Sequence, residues 1–77
     1  MRIFVVHIET YDHWRCAYPI NEFVNGWRNA KRRYAELCDK VKLYKGIKGE
    51  VRLDEILPLD KSGRMSEYTR KCYVFGK

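Results

Sequence analysis

One stripe of apolar side chains constrains this chain more than any other feature. Phe23, Trp27, Ala30, Tyr34 and Leu37 recur at intervals of four, three, four and three residues. On an α-helix that spacing makes a single narrow face. Such a helix needs a surface to cover it, and the remaining segments read as short strands. The stripe therefore predicts one helix laid across one sheet. Asn21 is read as its N-cap, with Glu22 in the first turn, where the helix dipole favours an anion. The helix is expected to end near Asp39 or Lys40. Gly26 falls inside it, at a cost of about 1 kcal/mol relative to Ala.

The strands follow from alternation. "MRIFVVHIETY" puts Phe4, Val6, Ile8 and Thr10 on one face. "RCAYPI" reads as a second strand, with Cys16, Tyr18 and Ile20 alternating. A three-residue loop, Asp12 to Trp14, pairs Tyr11 with Arg15 and keeps both apolar sets on one face. A two-residue turn would place them on opposite faces. Pro19 cannot donate to a ladder, so that strand lies at an edge or stops there. "VKLYKG" alternates Val41 and Leu43 up to Gly46, "EVRLDEIL" continues through Val51 and Leu53, and "YTRKCYVF" closes the chain. The expected layout is β-β-α-β-β with a further C-terminal strand. This is an α+β fold, a mostly antiparallel sheet with one amphipathic helix packed on one face, in a single domain spanning residues 1–77.

A chain of 77 residues buries only about 60% of the surface exposed when it unfolds. That leaves little material for a catalytic cleft and points to a binding module rather than an enzyme. Sixteen Lys and Arg against ten Asp and Glu give a net charge of +6. Such a surface favours anionic partners, either nucleic acid or an acidic protein face. The three cysteines, Cys16, Cys38 and Cys72, form no CxxC or Cys/His ligand spacing. They are expected to be free and mostly buried. With no leader-like start and no apolar run longer than "IFVV", a cytoplasmic, reducing setting is expected, without a membrane span.

"WRNAKRRYAEL" carries Arg28, Lys31, Arg32 and Arg33 beside the apolar stripe. These cations are either the solvated side of a core helix or an anion-binding surface. Arg28 and Arg32 point away from the stripe, Lys31 and Arg33 flank it, and Glu36 is placed to pair with Arg32, Arg33 or Lys40. In the nucleic-acid reading, Arg28, Lys31, Arg32 and Lys42 contact phosphates. Tyr44 beside Lys42 and Lys45, and Tyr73 beside Arg70 and Lys71, have the composition of a base-stacking sheet. They lack the aromatic motif of an RNA-recognition sheet, and in a chain with so thin a core such aromatics are more often packing. Trp14, at the predicted hairpin beside Tyr11 and His13, is either an interface anchor or a lid on the core. His7 shares a strand face with Glu9 and is read as a polar residue on the outer side. No metal, cofactor, catalytic residue or phosphate-cradling loop is expected.

The run from "MRIFVVHIETYD" through the aromatic-rich helix to "KVKLYKG" resembles the layout of small phage-encoded accessory proteins. The resemblance covers the first half of the chain and transfers no functional residues. It implies a role in binding and redirecting a bacterial host protein in the host cytoplasm. The expected function is thus a non-enzymatic modulator that docks on the acidic face of a host protein through Tyr11, Trp14, Arg28 and Arg32. Nucleic-acid binding is the alternative.

Overall fold

The computed structural model describes residues 2–11, 20–58, 61–64 and 66–76. The elements run β1 (Ile3–Thr10), β2 (Ile20–Asn25), α1 (Trp27–Val41), β3 (Gly49–Leu57) and β4 (Ser66–Phe75). All neighbouring strands are antiparallel, in the order β2-β1-β3-β4. The helix lies over β1, β3 and β2. The α+β expectation holds, with four strands among the described residues rather than the five expected.

Alternation in β1 does what its sequence implies. Phe4, Val6 and Ile8 are buried on the helix side, where they meet Ala30, Leu37 and Val41 of α1, Val51 and Leu53 of β3, and Phe75 of β4. Trp27 packs on Phe4 with ring centroids 5.4 Å apart, and Tyr44 meets the Phe75 ring edge-on at 6.1 Å.

The helix begins later than the stripe suggests. Residues 20–25 form β2, which satisfies the outer backbone groups of β1, and Gly26 stops that strand with φ 86°. An L-residue with a side chain rarely takes that φ. Gly26 N–H donates to the Arg2 carbonyl at 3.0 Å, and its own carbonyl accepts the first helical bond from Ala30 N–H at 3.0 Å. Asn21 therefore caps nothing. Phe23, on a strand rather than a helix, points away from the core and is 75% exposed. Glu22 reaches across to Arg33 of α1, with contacts of 2.7 and 2.8 Å.

Two further corrections concern strand boundaries. Val41 stands four residues after Leu37 and completes the buried helical face, so "VKLYKG" is a helix end and turn, not a strand. Leu43 is consequently exposed. In the first hairpin Ile8 pairs with Ile20, two residues away from the predicted register. Because the shift is even, Ile20 stays on the same face as Phe4, Val6 and Ile8. Cys16, Tyr18 and Pro19 lie outside the described residues, as do Asp12, His13, Trp14 and Arg15.

Gly49 opens β3 where no side chain fits. A Cβ there would run into the Glu9 carbonyl and lie 2.8 Å from the Phe75 ring. Further along, the β3–β4 ladder slips between Leu53 and Asp54: Leu53 pairs with Lys71 and Asp54 with Thr69, leaving Arg70 as the extra residue of a bulge.

Candidate functional site

That bulge shapes the surface beside the helix. In a regular strand, successive side chains point to opposite faces. Here Arg70 and Lys71 both reach the helix side. Arg70 contacts Glu55 through Nε at 2.9 Å and Nη2 at 2.6 Å. Lys71 lies over the Tyr34 ring at 5.9 Å. Helix α1 covers β1 and β3 but leaves edge strand β4 as a ledge, and Tyr68 on that ledge is 54% exposed.

Cations and rings alternate along the ledge. Arg2 sits 5.0 Å from the Phe4 ring and 5.5 Å from the Trp27 ring, Lys31 is also 5.5 Å from the Trp27 ring, Arg70 is 4.6 Å from Tyr68, and Lys71 is 5.9 Å from Tyr34. A chain of this size is expected to hold about one significant cation–π pair, so their concentration here marks a distinct surface. Among the described residues, Glu55 is the acid that faces these groups, held by Arg2 and Arg70 together. Hydrogen bonds from Arg2, then from Arg70, hold its pKa down to about 2.

The sequence-predicted cations divide unevenly. Arg28, Lys31 and Arg32 are exposed on the first turns of α1, and Lys31 lies over the Trp27 ring. Among the described residues, Arg32 is held by Asn29, at 3.2 Å. Lys42 contacts Asp39 at 3.4 Å and stands roughly 15–21 Å further along the helix axis than these three, at 1.5 Å per residue. Arg33 is taken up by Glu22 and by Glu36, the latter at 3.0 Å, and its guanidinium pKa is raised by those contacts. Tyr11 lies on the far side of the sheet, its hydroxyl 3.3 Å from Glu50. Tyr11, Arg28 and Arg32 therefore do not share one surface. Trp14 lies outside the described residues.

The stacking candidates are also redistributed. Tyr44 and Tyr73 pack against the core, so Tyr68, not Tyr73, is the open ring beside Arg70. Composition hinted at this stretch, but the bulge that turns Arg70 and Lys71 to one side has no local signature.

The opposite face of the sheet carries four acids, Glu9, Glu50, Asp54 and Glu67. Arg52 contacts Glu9 at 2.8 Å and Glu50 at 3.4 Å. His7, expected on a solvated outer side, is buried at 8% exposure beside Asp54 at 2%. Its Nε2 lies 3.1 Å from Asp54 Oδ2. Cys72 is exposed rather than buried, with Sγ 3.5 Å from Glu50 Oε2, and Cys38 is half-buried. Desolvation raises both thiol pKa values, with Glu50 adding to the effect at Cys72. A raised pKa keeps a thiol protonated, the opposite of the shift that activates a cysteine nucleophile.

No helix among the described residues is long and apolar enough to cross a membrane. Comparison with known proteins finds no matching family model, no matching curated protein and no matching solved structure. The geometry of the two sheet faces carries the functional reading.

Proposed function

We propose that this chain is a non-enzymatic binding module for single-stranded nucleic acid, which it holds along the ledge between α1 and β4. The observation that carries this reading is the row of cations over aromatic rings, with Glu55 alone among them as an acid. Single strands offer what such a surface can use: unpaired bases that stack on an open ring, and phosphates that meet ammonium and guanidinium groups. Tyr68 is the stacking platform. Lys31 and Lys71, with Arg28 and Arg32 on the adjoining helix, supply phosphate contacts. Arg2 and Arg70 hold the ledge together through Glu55. Free Cys38 and Cys72 support a reducing, cytoplasmic setting.

Tyr68→Ala tests the reading. Base–aromatic stacking is worth about 1–3 kcal/mol per base, so affinity for a labelled single-stranded oligonucleotide falls by about that amount while the fold is kept. An unchanged affinity would remove Tyr68 from the interface.

A second reading has its own observation. Phe23 is 75% exposed on the face opposite α1, with exposed Ile3 on the adjacent strand. An open aromatic with an aliphatic neighbour suits a protein interface. This is the reading in which the chain modulates a bacterial host protein in the manner of phage accessory proteins. It predicts that Phe23→Ala or Trp14→Ala abolishes one specific protein complex and leaves nucleic-acid affinity unchanged.

A further inference from the structure

The face opposite α1 holds a cluster that the ledge does not use. His7 of β1, Asp54 of β3 and Glu67 of β4 converge there, with one donor atom from each within 4.8 Å of the others. His7 Nε2 is 3.1 Å from Asp54 Oδ2 and 3.8 Å from Glu67 Oε2. Despite that proximity, His7 Nε2 makes no hydrogen bond, and neither does Asp54 Oδ1. Both residues are more than nine-tenths buried. Buried polar atoms are ordinarily paired. A third group at this cluster would satisfy both the imidazole nitrogen and the carboxylate oxygen.

We propose that His7, Asp54 and Glu67 bind a divalent transition-metal cation, with Zn²⁺ and Mn²⁺ as the chemical class. One imidazole and two carboxylates form an N/O donor set suited to these ions. With metal–ligand bonds of about 2.1 Å, two donors of a tetrahedral site stand about 3.4 Å apart. The separations from His7 Nε2, 3.1 and 3.8 Å, bracket that value.

The surrounding charge also favours a cation. Among the described residues, Arg52 is the cationic side chain paired beside the cluster, and its terminal nitrogens are turned to Glu9 and Glu50. Its Nε stands 3.9 Å from Asp54 Oδ2 and makes no hydrogen bond. One guanidinium thus faces the carboxylates of Glu9, Glu50 and Asp54, and Glu67 adds a fourth carboxylate at the cluster. A cation at the three donors would link β1, β3 and β4 and satisfy both unpaired atoms.

The test is calorimetric titration of the chelator-treated full chain with ZnCl₂ and, separately, MnCl₂. Wild type and Glu67→Gln are compared, with far-UV circular dichroism as the fold control. Glu67 is exposed on an edge strand, so its replacement by Gln is structurally mild. The expected result is one cation per chain, at least tenfold weaker binding in Glu67→Gln, and movement of the His7 ring resonances on adding Zn²⁺. If Glu67→Gln fails to fold, wild-type stoichiometry and the His7 resonances decide. The proposal is overturned if neither cation binds at millimolar concentration, which would leave a bridging water as the third group. It is also overturned if Glu67→Gln binds as tightly as wild type, or if Zn²⁺ moves only cysteine resonances.

Discussion

Arg2 and Glu55, 53 residues apart in the chain, meet fork to fork, with Nε 2.9 Å from Oε2 and Nη2 3.0 Å from Oε1. Arg70 approaches the same carboxylate from β4. The pKa of Glu55 is lowered from 4.5 to about 2 by these contacts. A carboxylate held below its unfolded value stabilises the fold above that value, and the contribution is lost as pH falls towards the folded pKa. Urea midpoints are therefore expected to decline between pH 4.5 and about 2. Glu55→Gln flattens part of that decline, while Glu22, lowered by Arg33, retains its own share. An unaltered pH profile in Glu55→Gln would show that these contacts do not form in solution.

Leu37 and Phe23 belong to the same apolar spacing but have opposite fates. Leu37 is fully buried, and Phe23 is 75% exposed. Leu37→Ala is expected to cost about 2–5 kcal/mol, and Phe23→Ala about 0.5 kcal/mol or less. Equilibrium urea denaturation of both variants checks the pair. A large loss at Phe23 would return it to the core and move the start of the helix.

Gly49 has no space for a methyl group between Glu9, Thr10 and Phe75. Gly49→Ala forces strand β1 or the Phe75 ring to shift. The expected loss is about 1–3 kcal/mol, read as a lowered thermal midpoint. Gly63→Ala is a useful contrast, since no atom lies within 4 Å of its Cβ position, although its φ of 79° adds strain.

Cys72 is exposed, yet desolvation and Glu50 raise its pKa. Alkylation at neutral pH is expected to be slower than for an unstructured thiol, because only the thiolate reacts. Glu50→Gln removes the charge and accelerates the reaction. Mass spectrometry of iodoacetamide-treated protein over time gives both rates.

The fold was legible wherever the pattern was local. Alternation in β1, the burial of Ala30 and Leu37, and strands β3 and β4 all follow from short-range spacing. Phe23 misled because one residue fits both periods: it stands four before Trp27, as on a helix, and alternates with Val24, as on a strand. The need of β1 for an outer partner decides between them, and that need is not local. Val41 and Leu43 misled in the reverse sense, since two apolar residues separated by one polar residue resemble a strand, although Val41 continues the helical face.

Neither candidate surface is visible in the sequence as a motif. The ledge joins Arg2, Glu55 and Arg70 across two long separations and depends on a bulge without a sequence mark. The His7 cluster draws one residue from each of three strands. His7 reads as solvated when β1 is taken alone, and only its neighbours on β3 and β4 show that it is buried.

The salt dependence of single-stranded oligonucleotide binding tests the central claim most directly. Affinities of wild type, Lys31→Ala and Lys71→Ala would be measured by fluorescence anisotropy between about 50 and about 200 mM salt, a range over which phosphate contacts weaken strongly. Each lost phosphate contact should reduce the slope of log affinity against log salt by about 0.7, with both variants remaining folded. Equal slopes in all three proteins, or no binding at the lower salt, would contradict a nucleic-acid ledge.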